Sequence, residues 1–110
     1  MTSDNIVNTL LIALADVTRQ QIVEILSDGQ ARSLSEISGH FGISRQAVTK
    51  HLDILEAAGL VGRATKGRER VHHLQPGPLK KVGDWLEPYA AAWDERLERL
   101  RIHVDGEDNE

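Results

Sequence analysis

Arg45, Gln46, Thr49 and Lys50 fall within one span of six residues. Wound at roughly 100° per residue, they share one side of a helix with Asp53. Val48, Leu52 and Leu55 take the other side, flanked by Ala47, Ile54 and Ala58. The polar side is rich in hydrogen-bond donors and carries two positive charges. Arginine can bond bidentately to guanine and glutamine to adenine, and a threonine methyl can touch a thymine methyl. Lysine most often neutralises a phosphate. Ser44 stands where the helix needs an N-cap, and its hydroxyl can also reach a phosphate.

A second basic group follows. Arg63, Lys66, Arg68 and Arg70 crowd around Gly67, with one acid, Glu69, among them. The flanking runs "LVGRAT" and "RVHHLQ" are short and partly β-branched. Joined by "KGRE", they read as a hairpin with a basic tip. A basic hairpin of this kind can lie along phosphates or reach into a minor groove.

Other elements must hold these groups in place. Residues 4–14 put Ile6, Val7, Leu10, Leu11 and Leu14 at the spacing of one helix face, with Asp4 able to cap. A second helix is predicted over 16–27, capped by Asp16 or Thr18, with Ile22, Val23, Ile25 and Leu26 inward. Gly29 terminates it. Ser33 or Ser35 caps a short third helix that buries Leu34, Ile37 and Phe41 and ends at Gly42. The fourth helix runs from its Ser44 cap to Gly59. Helix three, a turn at Gly42-Ile43 and helix four have the spacing of a helix-turn-helix, whose second helix enters the DNA major groove by its N-terminal end. That geometry explains a helix that is hydrophilic at its start and apolar towards its end.

After the hairpin, the prolines of "QPGPL" break the chain. A last helix is predicted from about Leu79 to Val104, with Val82, Trp85, Leu86, Tyr89, Trp93, Leu97, Leu100 and Val104 as inward candidates. Pro88 should kink it or divide it. The aromatic stripe Trp85, Tyr89, Trp93 packs either in the core or across a two-fold axis. The expected dimer interface comprises Ile6 and Leu10 of the first helix with Trp85, Tyr89, Trp93, Leu97 and Leu100 of the last. Residues 105–110 read as an acidic, disordered tail, leaving 1–104 as a single domain.

The 110 residues suffice for one domain with one core. The net charge of −4 opposes nucleic-acid binding taken alone, but the distribution matters more. Residues 32–73 hold seven basic and four acidic side chains, whereas 83–110 hold three and nine. A basic face on an acidic body is compatible with those counts. No apolar run approaches the roughly 20 residues of a membrane span, and the first residues lack the pattern of a secretory signal. The chain contains no cysteine, so disulfides and thiolate metal sites are excluded. A cytoplasmic protein is expected.

Catalysis is not expected. There is no nucleophile with a nearby base, and "GPLKKVG" lacks the glycine spacing and the Lys-Ser/Thr pair of a phosphate loop. Ser35-Glu36 and Asp94-Glu95 are better explained by capping and surface pairing. His72 and His73, adjacent on a strand, point to opposite faces and do not chelate together. His51, at the edge of the buried side of helix four, reads as a partly buried, hydrogen-bonded side chain. His40 and His103 carry no ligand pattern either. No metal and no cofactor are expected.

The blocks "ALADVTRQQIVEIL" and "SLSEISGHFGISRQAVTKHLDILEAAGLVGRATKGRERVHHL" resemble the ArsR/SmtB-type winged-helix transcriptional repressors. The end, "VGDWLEPYAAAWDERLERL", resembles their metal-independent branch with a long C-terminal helix. The likeness covers about residues 8–103. It implies a homodimer that represses transcription from a palindromic operator, with the fourth helix reading DNA and the first and last helices in the dimer contact. Val17 stands where the family commonly has proline, so the second helix is expected to begin slightly differently. The family's Cys-x-Cys sensor maps to Ser33 and Ser35, poor ligands for soft metals. Asp84 and His103, about five turns apart, do not form the family's other metal pair within one subunit.

The sequence therefore predicts a mainly α fold with a small β-hairpin wing, in the order helix, helix, helix, helix, hairpin, helix. It predicts a homodimeric, DNA-binding transcriptional regulator without an enzymatic function. The partners are double-stranded DNA and a second copy, with no membrane and no identified effector. The rival is a winged-helix protein-interaction module that does not bind DNA.

Overall fold

The computed structural model describes residues 2–108, with side chains from 5 to 102. Helix α1 spans Thr2–Leu14 and α2 spans Val17–Leu26. Helix α1 begins at Thr2, and the side chain of Asp4, the expected cap, lies outside those described. Val7, Leu10 and Ala13 form its buried face. Asp16 caps α2, its Oδ1 accepting from the Arg19 backbone N–H at 3.0 Å. That hydrogen bond holds the Asp16 carboxyl below the usual carboxylate range. Val17 takes the first helical position.

Strand β1, Arg32–Ser33, is an element that the sequence did not announce. Two residues are too few to show a period of two. Helix α3, Leu34–Ser38, follows directly. Ser33 is its cap, not Ser35: its Oγ accepts from the Glu36 N–H at 3.2 Å, and its own N–H donates to Glu36 Oε1 at 3.1 Å. This reciprocal capping box lowers the Glu36 pKa. The helix ends at Gly39, not Gly42, and Phe41 packs half-buried from the turn beyond.

Helix α4 spans Arg45–Ala57, followed by β2, Val61–Lys66, and β3, Glu69–Leu74. Gly59, at φ 81°, turns the chain out of α4 in a conformation that a side chain would strain. The strands form an antiparallel sheet in the order β1-β3-β2. Pairs run from Val61↔Leu74 to Lys66↔Glu69, and β1 adds Arg32↔His72 and Ser33↔Val71.

Helix α5 spans Pro76–Asp108 without a break. Pro76 and Pro78 start it rather than stop the chain before it, because the first turn of a helix has no N–H to lose. Pro88 does not divide it. The carbonyl that the missing Pro88 N–H leaves open is on a helix exposed to solvent all round at this point, where water can satisfy it. The helix also reaches into the segment expected to be a disordered tail, through residue 108. Residues 109 and 110 lie outside the described residues.

One core joins these elements: Leu10, Ala13, Ile22, Leu26, Ile37, Val48, Leu52, Leu55, Leu60, Val61 and Val82. Val82 is where α5 stops contributing. Beyond it, every described side chain of α5 is exposed. Trp85, Leu86, Tyr89, Trp93, Leu97 and Leu100, candidates for the protomer's core, are not in it. Val104 lies outside the described side chains. The protomer consequently measures 70 × 35 × 22 Å, with a radius of gyration of 19.2 Å. A compact chain of this length would have about 13 Å.

Candidate nucleic-acid interface

The α3–α4 pair presents the first turns of α4 to solvent. Ser44 caps the helix, its Oγ accepting from the Ala47 N–H at 3.1 Å. Behind it, Val48, Leu52 and Leu55 are at most 1% exposed, so the helix is anchored along its whole back. Arg45, Gln46 and Lys50 are exposed, and Thr49 is half-buried beside them. The helix dipole and the free N–H groups of the first turn add a partial positive charge there.

The wing stands opposite. Gly67, at φ 65°, takes the first central position of the two-residue turn between Lys66 and Glu69, and Arg68 takes the second. No non-glycine residue among those described has a positive φ, which matches the pattern of a type II′ hairpin turn. Thr65, Arg68 and Arg70 face Thr49 and Asp53 of α4 across a cleft of about 490 Å³. The middle of α4 and the basic strand ribbon therefore line one groove.

Charge pairing sorts the basic residues. Among the described residues, Arg45, Lys50, Lys66, Arg68 and Arg70 make no salt bridge within the protomer. Arg19, Arg32 and Arg63 do. Arg32 grips Asp28 with both Nη atoms, at 2.9 and 2.6 Å, and holds that carboxyl well below its usual range. Arg63 lines the same cleft as Arg68 and Arg70 but, unlike them, is ion-paired. Its Nε donates to Glu56 Oε1, and its Nη2 lies 3.4 Å from Asp53 Oδ1. Glu56 raises its pKa further, first by that hydrogen bond and then by its charge.

Two further groups support the face and were not singled out from sequence. Arg19 donates to the last carbonyls of α1, Nε to Ala13 at 2.6 Å and Nη2 to Ile12 at 3.3 Å. Its Nη1 lies 3.2 Å from His51 Nδ1 on α4, and Asp16 Oδ1 is 3.8 Å from the same ring atom. The α1–α2 corner is thus tied to the back of α4. A signal existed, since Arg19 is the lone base in residues 1–31. Gly62 is the other: a Cβ there would lie 2.6 Å from His73 Nε2 and 2.5 Å from Gln75 Nε2. A side chain at this position would force the His73 ring and the Gln75 amide to shift.

His72 and His73 part company as expected for neighbours on a strand. His72 is 7% exposed at the floor of the cleft, and its buried Nδ1 has no hydrogen-bond partner. Burial lowers its pKa, while the charge of Glu56 opposes the shift. Among the described residues, no three His, Asp or Glu side chains gather where they could hold a metal ion, and no helix is long and apolar enough to cross a membrane.

The residues expected at a dimer contact divide. Leu10 is 1% exposed, its side chain spent inside its own protomer, so it is not available to a partner. Ile6 is 43% exposed on α1. Trp85, Tyr89, Trp93, Leu97 and Leu100 run along α5 at exposures of 38–59%. Trp85 and Tyr89 meet as a tilted aromatic pair with centroids 5.4 Å apart, and Arg96 covers Trp93 at 5.6 Å.

Comparison with known proteins agrees with this geometry. Residues 16–62 match the family described as "Bacterial regulatory protein, arsR family". The chain is 39% identical over 82 residues to the uncharacterized HTH-type transcriptional regulator YuzN of Bacillus subtilis, covering 68% of this chain and 89% of that one. An ArsR-like transcriptional regulator from Rhodococcus sp. RHA1 superposes with a TM-score of 0.73 at 33% identity, covering 92% of this chain and 94% of that one. The homodimeric winged helix-turn-helix DNA-binding domain of Mb0332 from Mycobacterium bovis gives 0.61 at 25% identity, covering 86% and 84%.

Proposed function

Because the chain belongs to the arsR family of bacterial regulatory proteins, we propose that it works as a homodimeric repressor gripping a palindromic operator with one α4 from each protomer. The observation that carries this reading is the segregation of its cations. Among the described residues, Arg45, Lys50, Lys66, Arg68 and Arg70 are kept out of internal ion pairs, and Arg68 and Arg70 line the groove between helix and wing. Charges left unpaired in this way are available to phosphate. Ser44 and Lys50 contact the backbone, Arg45 and Gln46 read base edges, and Thr49 supplies a methyl against thymine. Lys66, Arg68 and Arg70 follow the phosphates beside the minor groove.

The second copy covers α5. Soluble monomers rarely leave a contiguous apolar patch of more than a few hundred Å² in water. The row Trp85, Tyr89, Trp93, Leu97 and Leu100 leaves five large apolar side chains exposed along α5, and Ile6 is exposed on α1. A two-fold axis there sets the two recognition helices about one DNA turn, ~34 Å, apart. A dimer seated on a promoter represses by excluding polymerase, and it does so where the chromosome is, in the cytoplasm.

The test is selection of bound sequences from random DNA, followed by a salt titration on the winner. The selected site is expected to be palindromic, and log K to fall with log salt at about −0.9 per phosphate contacted. Binding indifferent to salt would transfer the reading to a protein-interaction module.

A further inference from the structure

The recognition helix carries two carboxylates that no DNA ligand would welcome. Asp53 lies one turn beyond Thr49 on the same face and lines the cleft that Thr65, Arg68 and Arg70 close. Glu56 follows it by three residues. Its Oε2 is buried without a hydrogen-bond partner, so the group is already short of solvation. Left alone, the pair would place two negative charges beside the groove, where phosphates must come close and like charges repel.

Arg63 meets both. Its Nε binds Glu56 and its Nη2 faces Asp53. The Glu56 side chain is 19% exposed and that of Arg63 43%, so the contact is partly shielded from water. The Arg63 donors engaged here are therefore not free for an outside anion. The neighbouring wing cations, by contrast, have no such partner among the described residues.

We infer that Arg63 is the internal counter-ion of the acidic end of α4, a positioning residue that masks Asp53 and Glu56 so that DNA can approach, and is not itself a phosphate ligand. This rests on the DNA-binding reading above. It also accounts for a helix that keeps acids on its DNA-facing side: their field is cancelled within the protomer before the duplex arrives.

A double-mutant cycle separates masking from contact. Four proteins are titrated against a duplex selected from random DNA by the wild type: wild type, Arg63→Ala, Asp53→Asn/Glu56→Gln, and the triple variant. Masking predicts that Arg63→Ala weakens binding about tenfold when the acids are present and less than about threefold when they are neutral. An equal loss in both backgrounds, or no loss in either, overturns the inference and leaves DNA binding standing. A wild type that retains neither the selected duplex nor poly(dA-dT) overturns the DNA reading itself, and the inference with it. If Arg63→Ala does not fold by circular dichroism, Arg63→Gln, which keeps a donor towards Glu56, carries the same cycle.

Discussion

Ile22 and Trp93 belong to the same kind of apolar helical period, yet one is 0% exposed and the other 58%. The winged-helix body, through Val82, closes on itself because α1, α2, α3, α4 and the sheet converge on one core. The outer part of α5 leaves that body, and among the described residues nothing of the same chain covers it. The difference teaches that an apolar stripe identifies a face to be buried, not the chain that will bury it. In the body the covering element lies in the same molecule. Along the outer part of α5 no described element of the chain supplies it.

The strongest way to break the contrast is to make the stripe polar. Trp93→Glu with Leu97→Glu should yield a monomer in analytical ultracentrifugation. Operator affinity should fall about a hundredfold or more, since two linked half-site contacts become one. The body should keep its helical circular dichroism. A dimer of unaltered affinity would mean that the stripe is not the contact.

Next in size is a cavity in the body. Leu52 is 1% exposed on the back of α4, so Leu52→Ala should cost ~2–5 kcal/mol in urea denaturation. A loss below about 1 kcal/mol would show that the recognition helix is only loosely anchored.

The smallest effect sharpens the picture at the wing root. Burial sets the folded pKa of His72 below its unfolded value of about 6.5. Between those two values the unfolded chain binds more protons, so stability is full above about pH 6.5 and declines as pH falls below it, levelling once folded His72 protonates. Thermal melts between about pH 7.5 and 5.5 should show this decline, a window in which unfolded carboxylates stay ionised. His72→Gln should flatten it. An unchanged slope would show that the floor of the cleft is wetter than its burial indicates.

The local geometry of the candidate site was legible in the sequence. Ser44, the polar flank of α4 and the glycines after α4 and within the hairpin act through backbone a few residues away, so short-range reasoning reached them. Arg63 escaped for the opposite reason. From sequence it is one of four bases near a turn, and only the packing of β2 beside α4 brings it to Asp53 and Glu56. Strand β1 escaped because two residues pair only where β3 offers an edge. Leu10 was misassigned because one period serves equally for a core face and a partner face.

Taken by itself, the order of residues determined which segments coil, that Ser44 caps α4, which flank of α4 is hydrophilic and that a basic hairpin follows. Those properties depend on side-chain periodicity and on hydrogen bonds spanning three or four residues. The tertiary structure alone decided which cations remain unpaired, that α5 passes Pro88 unbroken, and that its aromatic stripe stays outside the core. Such outcomes depend on distances between parts of the chain far apart in sequence, and no local pattern contains them.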